Sequence, residues 1–131
     1  MKLVVNATVV VLFACSGYAQ QAEFAEWMKY SNRSMAVLSK TDKQADATAV
    51  NAAETLGAVY ENMIGFWRQR DAADAVKLAM AGKNYSVMLA SALNAGDTAR
   101  AAEALKGVGG TCKPCHDAYR IRTADGKFRF K

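Results

Sequence analysis

The chain has a single proline, Pro114. Upstream of it, therefore, no residue breaks a helix by removing a backbone donor. Alanine, leucine, lysine and glutamate recur throughout, and these residues enter a helix at little conformational cost. Apolar residues then repeat at helical spacing in successive stretches. The first runs from about residue 22 to 39 and aligns Phe24, Trp27, Met28, Met35 and Leu38 on one stripe. Thr41 or Asp42 is placed to cap a second helix reaching Arg68, with Val50, Ala53, Leu56, Val59, Met63, Phe66 and Trp67 inward. Asp71 would cap a third helix ending at Asn94, with Val76, Met80, Met88, Leu89 and Leu93 inside. Ala95-Gly96-Asp97 supplies a stop and a fresh start, and a fourth helix begins near Thr98. Short connections make neighbouring helices antiparallel, so the expected fold is all-α, an antiparallel four-helix bundle.

The N-terminus reads as an export signal. Met1-Lys2 is a short basic start, Leu3 to Ala14 is mostly apolar, and Gly17-Tyr18-Ala19 offers small residues where a signal peptidase cuts. Residues 1–19 are thus the expected secretory segment, leaving Gln20 first in a single domain of residues 20–131 and placing the product in the periplasm. The apolar run is short for a bilayer span. Leu12-Phe13-Ala14-Cys15 also resembles a lipobox, with lipid anchoring through Cys15 as the less favoured outcome because Phe13 is bulky there.

The chemistry lies near the other end. Cys112-Lys113-Pro114-Cys115-His116 is a Cys-x-x-Cys-His run containing the chain's one histidine. On a helix, positions 112, 115 and 116 leave one face. That spacing suits covalent attachment of one haem c through two thioethers, with the imidazole binding iron, near the C-terminal end of helix four. Two alternatives use the same cysteines. A structural zinc site needs a fourth ligand that no further histidine or retained cysteine supplies. A thiol-disulfide redox motif would follow a strand at the start of a helix, and no strand pattern precedes this one. Gly107, Gly109 and Gly110 together with Pro114 predict a break or kink at 107–111, with Thr111 recapping a fresh turn.

The stretch from Asn94-Ala95-Gly96-Asp97 through Ala101-Ala102, Leu105 and Val108-Gly109 to Thr111-Cys112-Lys113-Pro114-Cys115-His116-Asp117-Ala118-Tyr119-Arg120 resembles the class II c-type cytochromes, the cytochrome c prime family. The resemblance covers almost all of the chain after the export segment. It implies a four-helix bundle with His116 as proximal ligand, and Arg120 matches an arginine that the family commonly carries four residues after the haem histidine. It also implies that Met35, five residues after Lys29-Tyr30, faces the distal side of the iron. In some members that residue leaves the iron five-coordinate and open to nitric oxide or carbon monoxide; in others a methionine binds and the protein carries electrons. The resemblance further suggests a homodimer through the first two helices.

With one histidine in the chain, a sixth protein ligand would be a methionine, and the candidates are Met28, Met35, Met63, Met80 and Met88. Met35 is favoured and Met28, two turns earlier on nearly the same face, is the reserve. The region between the first helix and the haem motif is shorter than usual for the family, so Tyr60, Phe66 and Trp67 are open between pocket lining and core. Tyr119 and Arg120 are expected in the proximal pocket.

Charge is unevenly placed. From Cys112 onward there are six Lys/Arg and two Asp/Glu, whereas residues 20–111 hold ten of each. The tail at 121–131 alternates aromatic and basic residues around an Asp125-Gly126 turn signal. A basic rim there would guide an acidic redox partner protein. So few clustered charges on an exported chain exclude nucleic acid as a partner. The expected function is a periplasmic monohaem electron carrier rather than an enzyme. The runner-up is a five-coordinate protein that binds nitric oxide or carbon monoxide, and a haem-free thiol-redox or zinc module comes third.

Overall fold

The computed structural model describes residues 8–40 and 46–131, with side chains from Gln20 onward. Four helices follow one another: α1 (Thr8–Lys40), α2 (Ala47–Arg68), α3 (Ala73–Asn94) and α4 (Thr98–Tyr119). The chain ends in a small antiparallel hairpin of β1 (Arg120–Arg122) and β2 (Phe128–Phe130). The four-helix bundle expected from periodicity is thus present. α1 extends further toward the N-terminus than the expected 22–39, because the apolar segment preceding Gln20 continues the same helix. The lipidation site at Cys15 and residues 1–7 of the export segment lie outside the described side chains.

Local chemistry explains the helix boundaries. Asp46 caps α2 by accepting the Thr48 amide at 2.9 Å, so the cap falls a few residues beyond the expected Thr41 or Asp42, which lie outside the described residues. Asp71 does not cap α3. It sits at φ 54° in the tight α2–α3 turn, a conformation short polar residues tolerate, and α3 starts after Ala72 without a side-chain cap. The end of α3 forms a Schellman turn: Gly96 takes φ 68°, the Asp97 amide donates to the Ala92 carbonyl at 2.9 Å, and the Asp97 side chain caps α4 at Arg100.

Contacts between named pairs fix the helix directions. Gln20 meets Arg70 and Phe24 meets Phe66, so α1 and α2 run antiparallel. Glu61 pairs with Lys83 across α2 and α3, and Tyr119 donates to Asp74 across α4 and α3. Close packing follows chain order, α1 on α2, α2 on α3 and α3 on α4. The extensive backbone packing is that between chain neighbours. The first and last helices face each other across a seam that side chains such as Met35 bridge.

The core is built of small residues on α3 and α4, Ala75, Ala79, Ala92, Ala101 and Ala104, against large ones on α2, including Leu56, Met63, Phe66 and Trp67. Several expected core residues differ, Val50 and Met88 being only half-buried. Met80 is 44% exposed on the far side of α3, where Ala79 and Gly82 take the inward positions, and Val76 is only half-buried. Small residues inside α3 let its neighbours approach closely, and a search for large apolar residues misses that face.

α4 continues unbroken from Thr98 to Tyr119, contrary to the expected break at 107–111. Gly107 is a packing position, since a Cβ there would enter the Tyr85 ring of α3. Thr111 does not recap a new turn: its hydroxyl donates back to the Val108 carbonyl at 2.8 Å within the same helix. Pro114 lies inside the helix on its exposed face, near the C-terminal end.

Candidate haem site

Cys112, Cys115 and His116 occupy the last two turns of α4, and each is half-buried. The helix divides its residues between two faces. Ala101, Ala104, Val108 and Thr111 are buried in the bundle. Leu105, Gly109, Cys112 and His116, spaced i, i+4, i+7 and i+11, form a second stripe on the adjoining face. Cys115 lies between them and packs against the core.

Met35 of α1 reaches this second stripe. Its methyl group lies 3.9 Å from where a Cβ of Gly109 would stand, so the missing side chain leaves room for the thioether. Phe24, nearer the start of α1, meets Phe130, which follows α4, so α1 and α4 are antiparallel. Gly109 precedes His116 by seven residues, ~10 Å along the axis. A helical side chain leans toward the N-terminus by about one residue position, which shortens the offset only slightly and leaves it at roughly one and a half turns.

The titration of these groups follows from their surroundings. Burial, reinforced by the Arg120 charge and opposed by Asp117, lowers the His116 pKa, so the imidazole is neutral at pH 7, the form that binds a metal. Burial and the neighbouring Cys112 and Asp74 charges raise the Cys115 thiol. Both cysteines are free thiols.

This donor set fits a covalently attached haem. Two free thiols and a neutral imidazole leave one end of one helix, beside the α1–α4 seam. Ser31, one turn before Met35, carries a buried hydroxyl that makes no hydrogen bond among the described residues, an atom that a polar group of a bound ligand would satisfy. Zinc fits less well, because no group of three or more His, Cys, Asp or Glu suited to a metal gathers among the described residues. A groove of about 320 Å³ between α2 and α3, lined in part by Gly57, Lys83, Ser86 and Val87, contains none of the donor residues.

The other sequence candidates are placed as follows. Arg120 begins β1, and its guanidinium lies over the Phe128 ring at 4.2 Å, while its charge still bears on His116. Tyr119 stacks on Trp67 at 4.5 Å and donates to Asp74, tying α4 to α2 and α3. Phe66 and Trp67 belong to an aromatic cluster with Phe24, Trp27 and Phe130 at the hairpin end of the bundle. Met28 is half-buried on α1 and Met63 is buried in the core. Sequence reasoning missed Tyr60 as a support of the site. Its hydroxyl shares a buried 2.7 Å hydrogen bond with Thr111, next to Cys112. The available signal was the pairing of a tyrosine on an inward helix face with Gly82, where a Cβ would enter the Tyr60 ring.

A four-helix bundle whose last helix ends in Cys-x-x-Cys-His defines a c-type cytochrome of the bundle class. The family model described as Cytochrome C' matches residues 54–120. A curated protein, "Cytochrome c'" of Pararhodospirillum photometricum, is 50% identical over 56 residues, which cover 41% of this chain and 42% of that protein. The chain thus aligns with less than half of its curated relative's length. No solved structure matches. The chain belongs to the cytochrome c' family, and its cofactor is accordingly haem with iron.

Proposed function

We propose that the protein is an exported monohaem cytochrome that carries single electrons in the periplasm, with residues 1–19 removed and residues 20–131 forming the working domain. Cys112 and Cys115 hold the haem, His116 binds iron on the proximal side and Met35 on the distal side. The observation that supports Met35 is its position across the seam, with its methyl against Gly109 of α4. Bound there, haem supplies a one-electron couple at iron. The chain's own residues would take up the group beside the α1–α4 seam, present a neutral imidazole to it and hold Arg120 close enough to weight the charge around that imidazole. No substrate is transformed, so the role is that of a carrier rather than an enzyme.

A second reading draws support from the same contact. Met35 meets α4 roughly one and a half turns from the level that the His116 imidazole covers, an offset compatible with a methionine standing beside the iron and leaving it open to nitric oxide or carbon monoxide. The ferrous spectrum separates the two. A sharp low-spin spectrum that resists carbon monoxide, and turns high-spin in Met35→Ala but not in Met28→Ala, supports the carrier. A broad high-spin spectrum that changes promptly with carbon monoxide overturns Met35 ligation and leaves the gas-binding reading. Dimerisation through α1 and α2 is part of the same proposal and is read by sedimentation of the haem-loaded protein.

A further inference from the structure

The hairpin of β1 and β2 begins at Arg120, the last residue matched by the family model, and it is a built element rather than a loose tail. Arg120 pairs with Phe130, Ile121 with Arg129 and Arg122 with Phe128. Gly126 at φ 79° makes the turn, and the Thr123 amide donates to the Lys127 carbonyl at 2.8 Å. One end is fastened to the bundle: Phe130 packs its ring against Phe24, Phe66 and Trp67, and the Lys131 amide donates to the Tyr119 carbonyl at 3.0 Å.

The free end is different. Phe128 is 56% exposed, and the Arg120 and Arg122 guanidiniums stand 4.2 and 5.8 Å from its ring. The two carboxylates of this region are engaged elsewhere, Asp117 with Lys113 at 2.5 Å and Asp125 with Lys127 at 3.5 Å. Among the described residues Arg120, Arg122 and Arg129 therefore have no carboxylate partner. An exposed aromatic ring flanked by arginines is the composition of an interface hot spot. The Phe128 ring also orders the arginines before any partner arrives, which lowers the entropy lost on docking.

We infer that this hairpin is the docking surface for an acidic redox protein, whose carboxylates pair with Arg120 and Arg122 around Phe128, while Arg129, on the opposite face beside Ile121, adds only long-range positive charge. The inference rests on the electron-carrier reading, because a partner seated there lies one helical turn from His116, where electrons would enter or leave. Arginine forks match carboxylates in pairs and so favour a protein surface. An anionic membrane is the weaker match, since a lone exposed phenylalanine on a pinned hairpin lacks the broad apolar face of a membrane-surface element.

The test uses the haem-loaded protein labelled with nitrogen-15 and a synthetic glutamate-rich helical peptide as probe. Amide shifts concentrated in residues 120–131 are expected, with affinity falling about tenfold in Arg122→Glu and less, but measurably, in Phe128→Ala, whereas Arg129→Glu on the opposite face should weaken binding least. Saturating peptide should also slow oxidation of the ferrous protein by ferricyanide. Shifts spread over the whole surface, undiminished affinity in Arg122→Glu, or oxidation unchanged by peptide would each overturn the inference. So would capture by phosphatidylglycerol vesicles without binding of the peptide. The visible spectrum of the same samples keeps the two proposals apart: Met35→Ala alters the spectrum and not peptide binding, whereas the hairpin variants do the reverse.

Discussion

The Tyr60 hydroxyl lies 2.7 Å from the Thr111 hydroxyl, a buried bond between α2 and the residue of α4 that directly precedes Cys112. Thr111 passes its own donor to the Val108 carbonyl, so Tyr60 is left to donate into a pair that α4 has already oriented. This bond holds the first cysteine's turn at fixed depth in the bundle. Tyr60→Phe should lower stability by about 1 kcal/mol, the net worth of one buried hydrogen bond, since Thr111 keeps its bond to Val108. Thr111→Val should cost a similar amount, and the double variant less than the sum. Urea denaturation of the four proteins checks the coupling, and simple additivity would mean the bond contributes nothing.

Burial raises the Tyr60 pKa to about 12, with nearby cysteine charge adding to the effect and the Thr111 bond opposing it. The unfolded phenol ionises near its ordinary value of 10.0, so between there and about 12 the folded state holds the proton that the unfolded state has released. The stabilisation is complete below pH 10 and is lost as pH rises through the folded value. Thioether formation removes the cysteine contribution and leaves burial, so the direction persists with haem attached. Stability measured by denaturant at alkaline pH should fall more steeply in the native chain than in Tyr60→Phe. Tyr119, raised to about 12 by donating to the Asp74 carboxylate, accounts for part of the slope that remains.

Glycines in this bundle divide by what lies beside them. A Cβ at Gly82 would enter the Tyr60 ring and one at Gly107 the Tyr85 ring, whereas nothing lies within 4 Å of a Cβ at Gly65. Tyr60 cannot swing aside without breaking its bond to Thr111. Gly82→Ala should therefore cost about 2 kcal/mol or more through overpacking. Gly65→Ala, in the interior of α2 with open space around it, should stabilise by about 0.5–1 kcal/mol. Thermal melts that moved both variants in the same direction would remove the steric distinction.

These same glycines show what was legible in the sequence. Four helices, the α3–α4 turn at Gly96, the turn at Asp125-Gly126 and the single-face spacing of Cys112, Cys115 and His116 all follow from local pattern, because each depends on residues near one another in the chain. The continuity of α4 did not follow. Gly107 reads locally as a break, and its real determinant, the Tyr85 ring, is twenty-two residues away on another helix. Tyr60 escaped notice for the same reason, since its value lies in reaching Thr111 across 51 residues. Met80 was misplaced because apolar size was weighted over the small residues that let α3 pack closely. Asp71 has the right chemistry for a cap but takes a left-handed turn conformation that composition alone does not distinguish.

Phe130 and Phe128 share the face of one short strand and have opposite surroundings. Phe130 is half-buried, with ring centroids of Phe24, Phe66 and Trp67 at 5.0, 5.5 and 5.5 Å, and it is the bolt that fastens the hairpin to the aromatic end of the bundle. Phe130→Ala should cost about 2 kcal/mol, somewhat below the figure for a fully buried phenylalanine. It should also open the hairpin to trypsin at Arg122, Lys127 and Arg129. Phe128→Ala removes only exposed surface and should change stability by less than about 0.5 kcal/mol. Limited proteolysis followed by mass spectrometry reads both variants. Equal resistance of Phe130→Ala and the native chain would mean that backbone pairing and the Lys131–Tyr119 bond hold the hairpin without the ring. Its freedom to move, which sets how well Arg120 and Arg122 are ordered for a partner, would then be governed by the Gly126 turn instead.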